Sequence, residues 1–220
     1  DTQAVIRALS TVGGEKNIGA AGTAMRFLTA YYAISSESVV MTGTERMKNR
    51  PISILVEALR SIGADVEYVE KEGFPPLKIN GKKLNGGELR VQGNVSSQYL
   101  SAILMIAPYT RDGIKLMIEG DLVSRPYLQM TLSLMQDFGV SYTWNENVIE
   151  IKPSEYCSRE FTVENDWSAA SYWYSVVAMS EGKSVVLKYL LQESLQGDSK
   201  LVELYKLLGV ETKFVEEGVV

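Results

Sequence analysis

Ile54-Leu-Val-Glu-Ala-Leu-Arg-Ser-Ile-Gly63-Ala-Asp-Val-Glu-Tyr68 is the stretch that decides the fold. Apolar residues recur at three- and four-residue spacing, a glycine ends the periodicity, and a short alternating run follows. This pattern predicts an amphipathic helix with a left-handed glycine cap, leading into a strand. It returns as Met130-Thr-Leu-Ser-Leu-Met-Gln-Asp-Phe-Gly139-Val-Ser-Tyr-Thr-Trp144 and as Leu201-Val-Glu-Leu-Tyr-Lys-Leu-Leu-Gly209-Val-Glu-Thr-Lys-Phe214. The three glycines are 76 and 70 residues apart, so a unit of about seventy residues is repeated.

A second, more apolar helix precedes the first at a constant phase. It reads Gly22-Thr-Ala-Met-Arg-Phe-Leu-Thr-Ala-Tyr-Tyr, Ser96-Ser-Gln-Tyr-Leu-Ser-Ala-Ile-Leu-Met-Ile and Ser168-Ala-Ala-Ser-Tyr-Trp-Tyr-Ser-Val-Val-Ala. Strand-like runs rich in β-branched residues follow each copy, at 38–43, 114–120 and 184–189. Each unit then reads strand, buried helix, strand, amphipathic helix, strand, strand. That pattern predicts an α/β (α+β) architecture with helices on one face of each mixed sheet. The Met, Phe and Tyr residues of the apolar helices are expected in the core. A helix at Thr2 to Leu9 belongs to a preceding unit and the closing strands run up to Val220, so both ends read as cut and the chain as an internal piece of a longer polypeptide.

Composition narrows the chemistry. Histidine is absent, which removes Ser-His-Asp and Cys-His catalysis and nearly every zinc constellation. A net charge of -5 argues against a nucleic-acid surface. No apolar run approaches the ~20 residues that span a bilayer, and the first residues lack a signal-peptide layout, which together point to a cytoplasmic protein. The single cysteine, Cys157, reads as structural.

Polar residues concentrate at the helix starts. In Gly19 to Phe27, Gly22 leaves the backbone open to a ligand, the free N–H groups of a helix start point outward, and Arg26 adds a cation. The same small residues also serve close helix packing. In the second unit Ser96, Ser97 and Gln98 offer two hydroxyls and an amide, where a simple helix cap is the alternative. Arg46, Lys48 and Arg50 fall within five residues of one another, just before Pro51; Ser124 and Arg125 stand before Pro126. In both units the proline is expected at the first position of its amphipathic helix. Arg suits bidentate carboxylate and phosphate binding, and two anionic groups are expected in the ligands.

Taken together, Ala21-Gly22-Thr23-Ala24-Met25-Arg26, Arg46-Met-Lys-Asn-Arg50-Pro51-Ile52, Gly93-Asn-Val-Ser96-Ser97-Gln98-Tyr99-Leu100, Gly120-Asp-Leu-Val-Ser124-Arg-Pro-Tyr127 and Ala169-Ala170-Ser171-Tyr172 resemble the 5-enolpyruvylshikimate-3-phosphate synthase (3-phosphoshikimate 1-carboxyvinyltransferase) family along essentially the whole chain. The resemblance implies the enolpyruvyl transferase fold, two lobes each of three βαβαββ units. Residues 1–163 would form most of the shikimate-binding lobe and residues 164–220 one partial unit of the other. It implies a monomer working without metal or organic cofactor, and without nucleic acid or membrane partners. In the implied reaction, the 5-hydroxyl of shikimate 3-phosphate adds to phosphoenolpyruvate and phosphate leaves, a step of the shikimate pathway toward chorismate and the aromatic amino acids.

Carried over by motif, Gly22, Arg50 and Gln98 contact phosphoenolpyruvate, while Ser96, Ser97, Gln98 and Ser124 hold shikimate 3-phosphate. Thr23, Arg26 and Tyr127 take supporting places, Arg26 bracing the loop and Tyr127 lining the shikimate side. No catalytic residue of the family falls inside the chain, so the fragment alone is expected to be inactive. Ala20 stands where the family usually has Asn, which removes one polar contact. Two other readings remain: a non-catalytic anion-binding scaffold, and a UDP-N-acetylglucosamine enolpyruvyl transferase. Against the latter stand the Ser96-Ser97-Gln98 and Ser124 set and the setting of Cys157, which lacks glycine-rich neighbours.

Overall fold

The structure, a computed structural model, describes residues 1–122 and 124–220; Val123, inside the Gly120 to Tyr127 motif, lies outside the described residues. Two compact units divide the chain, Asp1–Cys157 and Ser158–Val220.

The first unit begins with α1 (Thr2–Leu9), β1 (Gly14–Asn17), α2 (Gly22–Ile34) and β2 (Ser38–Thr42). A one-turn helix α3 (Glu45–Lys48) leads to α4 (Ser53–Ser61), β3 (Asp65–Tyr68) and β4 (Leu77–Asn80). The pattern then repeats as β5 (Gly87–Gln92), α5 (Ser97–Ile106), β6 (Ile114–Glu119), α6 (Arg125–Asp137), β7 (Tyr142–Asn145) and β8 (Val148–Ile151). The two sheets have the same order, β1-β2-β4-β3 and β5-β6-β8-β7. In each the first two strands are parallel and the rest antiparallel. A parallel pair needs a crossover, and α2 and α5 supply it. Strand alternation fixes which face is covered: Ile114, Leu116 and Ile118 are buried, and Lys115 pairs with Glu88 on the outer face.

The crossover helices pack against each other, which accounts for their apolar girth. Ala30, Tyr32 and Ala33 of α2 and Ala102 and Leu104 of α5 are completely buried. The glycine caps fall where the periodicity places them: Gly63, Gly139 and Gly209 have φ of 101°, 90° and 84°, a region that a Cβ disfavours.

Pro51 departs from expectation. Helix α4 starts only at Ser53, with Ile52 as its cap residue at φ -138° and ψ 4°, outside the helical region; the Ile52 N–H, which a helix start would leave unpaired, donates to the Gly73 carbonyl (2.9 Å). Pro126 lies within the first turn of α6 but at its second position, after Arg125, where the first was expected.

The second unit contains α7 (Trp167–Ala178), β9 (Leu187–Lys188), α8 (Leu201–Lys206), β10 (Phe214–Val215) and β11 (Gly218–Val219). Its sheet, in the order β10-β11-β9, reproduces the antiparallel part of the other two. Trp167, Ala170, Tyr174, Leu190, Leu201 and Val219 make its core. The expectation that the tyrosines of the apolar helices lie in the core fails at Tyr31 of α2, which is 44% exposed, and more strongly here. Tyr172 and Trp173 are 76% and 52% exposed, because within this unit α8 and the sheet cover one side of α7 only. Among the described residues no helix is long and apolar enough to cross a membrane.

Candidate functional site

The first helix start is built around Gly22. Helix α2 has Ala21 as its cap residue and receives no side-chain cap, so its first N–H groups keep their outward dipole. Space beside Gly22 is filled by guanidinium groups: a Cβ there would lie 2.3 Å from Arg50 Nη1, 2.8 Å from Arg50 Cζ and 2.8 Å from Arg26 Nη1. Glycine is therefore required by the close approach of two cations, and the open backbone expected from the sequence is the floor of a cationic pair.

Arg26 is 7% exposed. Its Nη1 donates to the Gly22 carbonyl at 2.7 Å, its Nε is buried with no hydrogen-bond partner, and its guanidinium carbon lies 5.2 Å from the centre of the Tyr99 ring. Arg50 is exposed, and among the described residues no carboxylate pairs with either arginine. Both Nη1 atoms lie within 2.8 Å of the Cβ position at Gly22, and like charges about 5 Å apart repel by about 1–3 kcal/mol between the limits of bulk water and a protein surface. A bound anion would turn that repulsion into attraction.

The basic trio of the first unit divides. Lys48 bonds Glu70 at 2.9 Å and lies 3.7 Å from Glu45. Its hydrogen bond to Glu70 holds its ammonium above the usual lysine value. Lys48 is thus engaged in tying α3 to the β3–β4 connection, while Arg46 projects from the exposed side of α3. Only Arg50 of the three reaches Gly22.

Helix α5 brings the second start alongside the first. Ser96 caps it, its hydroxyl accepting from the Gln98 N–H at 3.4 Å. Ser97 is half-buried and its hydroxyl takes part in no hydrogen bond among the described residues. The capping alternative thus holds for Ser96 and leaves Ser97 free to serve a ligand. Gln98 Nε2 donates to Thr23 Oγ1 at 3.1 Å, joining the first turns of α5 and α2. This gives Thr23 a definite place as the acceptor that orients Gln98.

Ser124 is the cap residue of α6 and makes no side-chain cap, and Tyr127 in its first turn is 42% exposed. Helix α6 is fastened to α5 by the Ser101 and Thr131 hydroxyls, 2.8 Å apart. Thr131 also donates to the Tyr127 carbonyl. No hydrogen bond among the described residues joins Ser124 to Ser96 or Ser97.

Tyr99 escaped the sequence reading, where it stands among Leu100, Ala102 and Ile103 as one more core residue. It is 8% exposed, lies against Arg26, and donates its hydroxyl to the Pro51 carbonyl at 2.8 Å. The sequence signal is a phenol in a mostly apolar stripe. In the second unit Ser168, at the start of α7, donates to Asp198 at 2.7 Å, and Asp166 caps the helix. Cys157 is exposed, with its N–H bonded to the Phe138 carbonyl and its sulfur against Gly139.

Known proteins share this sequence and fold. The family model described as EPSP synthase (3-phosphoshikimate 1-carboxyvinyltransferase) matches residues 4–219. The chain is 51% identical over all of its 220 residues to a 3-phosphoshikimate 1-carboxyvinyltransferase of Bacteroides fragilis, covering 54% of that protein. It is 41% identical over 209 residues to that of Photobacterium profundum, covering 94% of this chain and 49% of the relative. The chain thus spans about half the length of the curated relatives it matches. In fold it is similar to EPSP synthase from Acinetobacter baumannii, with a TM-score of 0.73 at 23% identity over 91% of this chain and 44% of that one. Motifs, repeated unit and family match coincide over nearly every residue, and the chain belongs to the EPSP synthase (3-phosphoshikimate 1-carboxyvinyltransferase) family.

Proposed function

We propose that this chain supplies the substrate-binding helix starts of an enzyme that transfers the enolpyruvyl group of phosphoenolpyruvate to the 5-hydroxyl of shikimate 3-phosphate, releasing phosphate. The observation that carries the reading is the pair of guanidinium groups over Gly22, without a carboxylate partner among the described residues, beside a helix start that Gln98 ties to α5. Gly22, Arg50 and Gln98 then form the phosphoenolpyruvate side, and Ser96, Ser97, Gln98 and Ser124 the shikimate 3-phosphate side. Thr23, Arg26 and Tyr127 support them. Residues 1–163 contribute to the shikimate-binding lobe and residues 164–220 to the other.

The chemistry available here is binding chemistry. Guanidinium groups stay protonated and hydroxyls and amides stay neutral near pH 7, so these residues clamp anions and orient the reacting hydroxyl but move no proton. Electrostatic stabilisation of the phosphate and carboxylate is their part. Proton transfer to the methylene carbon and from the hydroxyl falls to groups outside this set, and the 220-residue chain by itself does not turn over.

Isothermal titration with each ligand tests the reading. Shikimate 3-phosphate binding is expected to weaken at least tenfold in Ser97→Ala and to be unaffected in Arg50→Ala, with the reverse for phosphoenolpyruvate. Equal effects of both variants on both ligands, or steady phosphate release by the wild-type chain, would refute it.

A further inference from the structure

Arg50 makes no side-chain hydrogen bond among the described residues, yet its guanidinium is lodged over Gly22. Its position must come from the backbone. The residue after it is Pro51, whose ring fixes its own φ and restricts Arg50 to extended conformations. The next peptide group, between Pro51 and Ile52, is held from both sides. Its N–H donates to the Gly73 carbonyl at 2.9 Å and its carbonyl accepts from the Tyr99 hydroxyl at 2.8 Å. Only Pro51 ψ and the torsions of Arg50 itself separate that pinned peptide from the guanidinium.

We infer that Tyr99 is a positioning residue for the anion clamp, its hydroxyl setting Arg50 over Gly22 and its ring holding Arg26 beside it. The two parts do different work. The hydroxyl fixes the chain next to Arg50. The ring face offers its negative quadrupole to the buried Arg26 guanidinium, a stabilisation that brings no anion into the site. A carboxylate in the same place would hold Arg26 as well but would neutralise half of the clamp. Tyr99 follows directly after Gln98, so the residue that spans the two ligand sides and the residue that orients Arg50 turn together with the start of α5.

This inference rests on the proposed role of Arg50 toward phosphoenolpyruvate, and its test separates the two. Tyr99→Phe removes the hydroxyl alone and Tyr99→Leu removes the ring as well. In the full 220-residue chain, the arginine Nε–H signals in a proton–nitrogen correlation spectrum report side-chain order without any ligand; Arg50→Lys assigns the Arg50 signal. Tyr99→Phe is expected to lower the heteronuclear NOE of Arg50 and weaken phosphoenolpyruvate binding ~3–10-fold, one lost hydrogen bond. Shikimate 3-phosphate affinity should change less than twofold. Tyr99→Leu should in addition mobilise Arg26. In an Arg50→Ala background Tyr99→Phe should have no further effect on phosphoenolpyruvate, a non-additivity that a loss of packing does not produce. An unchanged Arg50 signal in Tyr99→Phe overturns the inference. If Arg50→Ala leaves phosphoenolpyruvate affinity intact, the functional reading fails, and the Arg50 signal still decides whether Tyr99 positions it.

Discussion

Replacing Gly22 by Ala separates the demands of the fold from those of the clamp. The added methyl would stand 2.3 Å from Arg50 Nη1 and 2.8 Å from Arg26 Nη1. Ordinary contact needs about 3.5 Å, so Arg50 must withdraw by roughly 1 Å. Both atoms end long side chains, but Arg26 is buried and bonded to the Gly22 carbonyl while Arg50 is exposed. Arg50 is therefore the group that withdraws furthest, while the nearer tip of Arg26 gives by a few tenths of an ångström. Gly22 is a helical residue with no positive φ, so alanine fits its backbone and gains up to about 1 kcal/mol of helix propensity. Thermal unfolding should consequently shift by no more than about 3 °C. Displacing one charge-assisted contact costs about 1.5–3 kcal/mol, or roughly 10- to 150-fold in phosphoenolpyruvate affinity. Paired calorimetric titrations on Gly22→Ala should show that loss for phosphoenolpyruvate and less than a twofold change for shikimate 3-phosphate. Unchanged phosphoenolpyruvate binding, or a large drop in stability, refutes the account of Gly22 as the floor of the arginine pair.

Further perturbations address the parts around the clamp. Lys16 is 2% exposed, donates to the Ala8 carbonyl at 2.9 Å and to the Thr11 hydroxyl at 2.8 Å, and lies over the Tyr32 ring. Lys16→Met should lower the urea stability of the first unit by about 2–4 kcal/mol through orphaned acceptors, without altering ligand selectivity. Burial pushes the Tyr32 phenol up to about 12, from an ordinary 10.0. Its contribution is complete below pH 10 and is lost as pH rises toward 12, since only the unfolded chain ionises readily there; urea midpoints should fall over that range, and fall less in Tyr32→Phe. Glu164 accepts from Trp167 Nε1, the Leu191 N–H, Ser194 Oγ and Gln196 Nε2. Glu164→Ala should destabilise the second unit by about 2–3 kcal/mol and leave the Lys16-dependent transition in place, read as two separate steps in thermal unfolding.

The repeat was legible in sequence because its markers are local. Gly63, Gly139 and Gly209 each end a periodic helix within a dozen residues, and the left-handed conformation they adopt is a property of the backbone at that point. Helix starts at Gly22 and Ser97 were legible for the same reason. What the sequence hid depends on partners far along the chain. Tyr99 looks like core until Pro51 and Arg26 are brought to it, 48 and 73 residues away. Lys16, in the polar run Gly-Glu-Lys-Asn, looks like a solvated strand charge until the end of α1 folds over it. By spacing alone Lys48 is equivalent to Arg50, because spacing cannot tell a cation already paired with Glu70 from one left for a ligand. Pro51 stands outside the helix because Ile52 after it has a non-helical backbone, φ -138° and ψ 4°, whose N–H is bonded to Gly73 on another connection. The apolar face of α7 has the composition of a buried stripe, but composition carries no information on which surfaces meet it.

A crystal structure of the chain with shikimate 3-phosphate and phosphoenolpyruvate decides whether two anion sides lie on adjoining helix starts. The sugar phosphate is expected at the start of α5 within hydrogen-bond distance of Ser97, and the phosphoenolpyruvate anion against Arg50 over Gly22, with Gln98 between them. Either ligand seated elsewhere, or both on the same helix start, would contradict it.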